Sequence, residues 1–110
     1  VQANQIGNML YTSGQIPLDK HGNLAGEDIV SQTHQVMKNL VAILTEANTN
    51  TSHIVKTTCF LSDMNNFAAF NEVYAQYFDT VVPARSCVQV ARLPRDVLVE
   101  VEAIAIISSI

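Results

Sequence analysis

From Val82 the chain reads VPARSCVQVARLPRDVLVEVEAIAII, a segment dominated by valine, isoleucine and alanine. Set into it are one guanidinium, Arg85, one thiol, Cys87, and two carboxylates, Glu100 and Glu102. These types can do chemistry together. A planar guanidinium binds a carboxylate through two parallel hydrogen bonds, which suits Arg85 to hold an acidic substrate. A glutamate beside it stays ionised and can take a proton from water. A nucleophilic role for Cys87 needs a base and a depressed thiol pKa. No histidine is tied to it by position, and neighbouring glutamates disfavour the thiolate, so a semi-buried strand cysteine is the simpler role. Arg85 can equally be a structural partner of Glu100 or Glu102 across a sheet. On residue types alone, the functional and structural readings stand level.

The rest of the chain must supply the elements that position these groups. VQANQIGNMLYTSGQIP alternates around Gly7-Asn8 and reads as a β-hairpin. After the polar stretch LDKHGNLAGED the period changes. Ile29, Thr33, Val36, Met37, Leu40, Val41, Leu44 and Ala47 recur at helical spacing, with Asp28 as N-cap and Asn48 as stop. HIVKTTCFLS reads as a strand rich in β-branched residues. DMNNFAAFNEVYAQYF reads as a second helix, with Phe67, Phe70, Tyr74, Tyr77 and Phe78 forming a core-facing stripe. The opening segment then reads as a closing hairpin that turns at Leu93-Pro94-Arg95-Asp96. The order β-β-α-β-α-β-β predicts an α+β domain spanning residues 1–110, one sheet with two helices on one face.

Alternation along the last hairpin sorts its side chains. Arg85, Cys87, Gln89 and Ala91 share one face, and Ser86, Val88 and Val90 the other. Val97, Val99 and Val101 oppose Leu98, Glu100, Glu102, Ile104 and Ile106. A turn symmetrical about Pro94-Arg95 sets Gln89 opposite Glu100 and Cys87 opposite Glu102. Arg85, Cys87, Glu100 and Glu102 then lie on a single face. That face is too apolar for water and too charged for a dry core, so a second subunit is expected to cover it.

Composition narrows the classes. The 110 residues suit one domain, and 48% hydrophobic content can fill its core. Six Lys and Arg against ten Asp and Glu give net charge −4, which argues against nucleic-acid binding. No apolar run reaches membrane-spanning length, so no membrane partner is expected. His21, His34 and His53 are isolated from one another, so no metal site is expected. Cys59 and Cys87 are far apart in sequence and make no disulfide framework, which predicts a reducing, cytoplasmic setting.

PARSCVQVARLPRDVLVEVEAIA closely resembles the C-terminal signature of the RidA (YjgF-type) reactive intermediate deaminases. The resemblance continues through GNMLYTSGQIP and HIVKTTCFLSDMNNFAAFNEVY and covers essentially the whole chain. It implies a chorismate-mutase-like fold, a homotrimer, and ligand clefts between subunits. The implied reaction is hydrolysis of 2-iminobutanoate or 2-iminopropanoate, released by pyridoxal-phosphate dehydratases, to a 2-oxo acid and ammonia, with no cofactor. By position, Arg85 is implied as the carboxylate clamp, and the backbone at Cys87 as a holder of the attacking water. Glu100 is implied to act on that water or on the substrate nitrogen, and Ser13, Gly14 and Asn71 to line the cleft. The family usually carries a Pro-Tyr pair before the segment matching Val1-Gln2-Ala3, and its pocket tyrosine has no counterpart in this sequence. A carboxylate-binding regulatory module and an RNA-cleaving translation inhibitor are the rival readings, the second disfavoured by the acidic balance.

Overall fold

The computed structural model describes residues 1–107. Strands β1 (Ala3–Ile6) and β2 (Met9–Thr12) form the N-terminal hairpin. Its tight link places Gly7 at φ +59°, in the left-handed region where a missing Cβ removes the steric cost. Helix α1 (Ile29–Glu46) starts where the Asp28 carboxylate accepts the Ser31 N–H at 2.9 Å. Ile29, Thr33, Val36, Met37, Leu40 and Leu44 are buried along it, the stripe expected from their spacing, while Val41 is only half-buried. Asn48, at φ +60°, ends the helical path in the left-handed conformation that asparagine tolerates.

Strand β3 (Ile54–Leu61) follows, then a 3-10 turn at Met64–Asn66 that leads into helix α2 (Phe67–Ala75). The helix is shorter than its aromatic pattern suggests, and Tyr77 and Phe78 lie beyond its end. Strands β4 (Ala84–Gln89) and β5 (Val99–Ile106) complete the order β-β-α-β-α-β-β. Both helices pack against one mixed five-stranded sheet. Val99, Val101, Ala103 and Ala105 of β5 meet Val36, Met37, Leu40, Leu44, Phe70 and Tyr74 in a single core. Burying a leucine such as Leu40 or Leu44 contributes roughly 1.5–3 kcal/mol, so this helix–sheet seam carries much of the stability.

The sheet order is β1-β2-β5-β3-β4, and this corrects the expected C-terminal hairpin. β4 and β5 are not neighbours. The β3–α2–β4 crossover lays β4 parallel to β3, with Thr57 beside Arg85 and Cys59 beside Cys87. β5 inserts between β2 and β3, antiparallel to both. Segment 90–98 carries the chain back across β3, anchored by the buried Leu93 and Val97. The local signals of a reversal at 93–96 hold, but a reversal does not require its flanking strands to pair.

The same topology overturns the expected sorting of faces. Register partners in adjacent strands point to the same side of a sheet. Arg85 and Cys87 therefore share the helix-covered face with Thr57, Cys59, Val101 and Ala103. Ser86 and Val88 share the outer face with Thr58, Phe60, Glu100 and Glu102. Alternation within each strand was legible. The phase between β4 and β5 depends on β3, which the hairpin reading left out. The outer face remains mixed, with Phe60, Ile104 and the half-exposed Tyr11 and Val88 around the two glutamates.

Candidate active site

Arg85 lies on edge strand β4 at the rim of the helix face, half-buried. Helix α2 surrounds it. Its guanidinium donates from Nη1 to the Asn71 side-chain oxygen at 2.6 Å. Its central carbon sits over the Tyr74 ring at 4.8 Å and the Phe67 ring at 5.3 Å, within cation–π range of both. Among the described residues, the one ion pair is Arg92–Asp96 at the exposed turn, so Arg85 has no acidic partner there. The guanidinium is thus oriented by neutral groups, with donors left for a ligand.

Cys87, two residues along, is half-buried, and Cys59 beside it is fully buried. Two cysteines distant in sequence are therefore direct neighbours across β3 and β4, both as free thiols. Burial pushes the Cys59 thiol up to about 12, and the adjacent Cys87 adds to the shift. Burial also raises the Cys87 thiol, against an opposing pull from Arg85. A thiol held protonated is a poor nucleophile. What β4 offers at this position is its backbone, because alternate N–H and C=O groups of an edge strand point away from the sheet.

Glu100 belongs to a second cluster on the outer face. Its pKa is raised, first by burial and then by Glu102. This differs from the expected ionised glutamate beside Arg85, because within one chain the sheet separates the two. Gly14 presses on this carboxylate. Gln15 and Val101 exchange backbone hydrogen bonds at 2.8 and 3.1 Å, which holds the chain at Gln15 alongside β5. A Cβ at Gly14 would collide with Glu100 Oε2 and come within 2.8 Å of Cδ. Ser13 precedes Gly14 in the chain, with its hydroxyl donating to the Val1 carbonyl at 2.7 Å.

The six residues expected at the site thus fall into two groups. Arg85, Asn71 and Cys87 form one, and Glu100 and Gly14 form the other, with Ser13 next to Gly14 in the chain. Two surface concavities, of about 840 and 500 Å³, lie along α1, and neither is lined by Arg85 or Glu100. Sequence reasoning missed Phe67, Tyr74 and Thr57 as surroundings of Arg85. The available signal was the spacing of Phe67, Asn71 and Tyr74 on one stripe of α2.

The clash geometry makes a prediction. The end of the Glu100 side chain can swing away, so Gly14→Ala should fold with little loss of thermal stability. If Glu100 handles protons, displacing its carboxylate should nevertheless cost about a hundredfold in kcat, the order expected for a reacting group misplaced by about an ångström. A thermal melt paired with imine-hydrolysis kinetics checks it. Unchanged kcat in Gly14→Ala means that the Glu100 position carries no activity.

A family model described as endoribonuclease L-PSP matches residues 1–107. The chain belongs to the RidA (YjgF, L-PSP) family. Among its RidA-family relatives is the 2-iminobutanoate/2-iminopropanoate deaminase of Salmonella typhimurium, 46% identical over 96% of this chain and 85% of the relative. A Lactococcus lactis protein named as a regulator, AldR, is 48% identical over 99% of this chain and 87% of its own length. The crystal structure of Escherichia coli TdcF with bound serine superposes with a TM-score of 0.92 at 46% identity. That match covers 98% of this chain and 87% of TdcF. The expected fold class is therefore the observed one, and no helix among the described residues is long and apolar enough to cross a membrane.

Proposed function

We propose that this RidA-family chain hydrolyses small 2-imino acids, such as 2-iminobutanoate and 2-iminopropanoate, to 2-oxo acids and ammonia. The observation that carries the reading is Arg85: a half-buried guanidinium with no acidic partner among the described residues, whose one described side-chain hydrogen bond goes to Asn71. Such a group fits a substrate carboxylate. Because Arg85 and Glu100 occupy opposite faces of the sheet, one chain does not bring them to one substrate. A homotrimer resolves this if the Arg85 rim of one subunit meets the outer face of the next. The mixed outer face, with Phe60, Tyr11 and Val88 beside the glutamates, gives that contact apolar area to bury.

In the assembled cleft the protonated imine carbon is already electrophilic. Arg85 orients the carboxylate, and outward backbone groups of β4 near Cys87 hold a water. The water oxygen attacks the imine carbon, the C=N electron pair moves to nitrogen, and Glu100 accepts the proton of the water. The glutamate then returns that proton to the nitrogen of the tetrahedral carbinolamine. The carbonyl forms as the C–N bond breaks, ammonia leaves, and the hydroxyl proton is lost to solvent. Burial and Glu102 raise the Glu100 pKa, which makes its carboxylate a stronger base toward the water proton than an exposed glutamate.

The experiment is to add the purified chain to a threonine dehydratase with threonine and follow 2-oxobutanoate release, with sedimentation equilibrium on the same sample. Accelerated release by a trimer is expected. A stable monomer with full activity would sink the shared cleft. Carboxylate binding without acceleration would favour a regulatory module, the reading that the regulator's name among the relatives suggests. The excess of acidic over basic residues gives phosphate backbones little attraction, so RNA is not the preferred ligand.

A further inference from the structure

We infer that Tyr74, held by Thr57, is a positioning residue for Arg85 rather than only a part of the core. The inference rests on the carboxylate-clamp reading of Arg85. Tyr74 is 3% exposed and Thr57 is fully buried. Their hydroxyls meet at 2.6 Å. A core ring with no further task has no need of a hydroxyl, because burying one demands a partner. Here the partner is supplied by the residue that stands directly beside Arg85 in the β3–β4 register. Strand pairing, hydroxyl bond and ring contact therefore close a loop: Arg85 beside Thr57, Thr57 on Tyr74, Tyr74 beneath Arg85.

The rest of the surroundings fix the ring in that pose. Phe70 lies 5.5 Å from Tyr74 between centroids, and Phe78 lies 4.8 Å from it, both tilted. Phe67, Asn71 and Tyr74 fall on one stripe of α2, so the two rings and the amide reach Arg85 from the same helix. An arginine on an edge strand otherwise samples many rotamers, and fixing it for a ligand costs affinity. The Tyr74 ring, 4.8 Å from the guanidinium carbon, lowers that cost by restricting where the guanidinium can sit. Tyr74 touches no substrate in this scheme and acts through Arg85.

The test uses the 110-residue chain and 2-oxobutanoate as the probe, with affinity by calorimetry and thermal melts alongside. Tyr74→Leu removes the ring face and should weaken 2-oxobutanoate about threefold to twelvefold, the cost of immobilising one rotamer-rich side chain on binding. Thr57→Val frees the ring and should weaken binding about threefold to tenfold, with KM for the imine rising more than kcat falls. Thr57→Ser restores the hydroxyl and should restore affinity. In an Arg85→Lys background, neither Tyr74→Leu nor Thr57→Val should weaken binding further, because the group that they position is gone. If Tyr74→Leu does not fold, Thr57→Val and its serine rescue decide the matter. Folded variants with lower melting temperatures and wild-type affinity overturn the inference, as does an equal loss in the Arg85→Lys background. Failure of the wild-type chain to bind 2-oxobutanoate instead removes the clamp reading itself.

Discussion

Arg85→Lys should fold as the wild type and lose about a hundredfold in kcat/KM for 2-iminobutanoate. The fold should survive because Arg85 is half-buried at an edge strand, and the one described hydrogen bond of its side chain goes to Asn71. The activity should not, because lysine keeps the charge but not the planar fork. One lost charge-assisted hydrogen bond costs about 1.5–3 kcal/mol, or roughly tenfold to a hundred-and-fifty-fold. An ammonium also stacks less well between Phe67 and Tyr74 than a flat guanidinium does. The loss should therefore fall mainly on KM and on 2-oxobutanoate affinity. Near-normal turnover by a folded Arg85→Lys chain assigns Arg85 a purely structural role.

Glu100→Gln should leave 2-oxobutanoate affinity close to wild type and lower kcat by about a hundredfold to ten-thousandfold, the usual share of general acid–base catalysis. Glutamine keeps the size and much of the hydrogen bonding of the side chain while removing its basicity. The wild-type rate should fall on the acid side as Glu100 takes up its proton. Burial and Glu102 place that limb above the ordinary glutamate value of 4.5, and it should vanish in Glu100→Gln. Glu102→Gln is the paired control. Glu102 shares the outer face two residues along and lies opposite Thr58, so its replacement should be milder. A wild-type rate in Glu100→Gln removes the proton-handling role. An equal effect of Glu102→Gln moves the proton chemistry to the pair rather than to Glu100.

The two variants also divide along the architecture. Arg85→Lys alters the helix-face rim and Glu100→Gln the outer face, so within one chain they alter different surfaces. In a shared cleft they alter one site twice. Mixing the two impaired proteins under subunit exchange should then raise activity above that of either alone, since some clefts in the hybrids receive an intact Arg85 and an intact Glu100.

By itself the sequence determined the elements and their order. The helical stripe from Ile29 to Leu44, the Gly7-Asn8 turn and the Asp28 cap are local features, decided by residues a turn or less apart. It also determined which residue types could do chemistry, and the long match in PARSCVQVARLPRDVLVEVEAIA and GNMLYTSGQIP gave the family. Strand pairing was decided only by the tertiary structure. Alternation places Glu100 with Glu102, and Arg85 with Cys87, but it does not relate one strand to another. That relation came from β3, which lies between β4 and β5 and pairs with both. The insertion moved Arg85 and Cys87 to the helix face, joined two sequence-distant thiols, and separated Arg85 from Glu100. The stripe that holds Tyr74 was legible, but its pairing with Thr57 and Arg85 was not, for the same reason. A buried aromatic reads as core until its hydroxyl partner and the charge above its ring are known, and both lie on strands far from it in the chain.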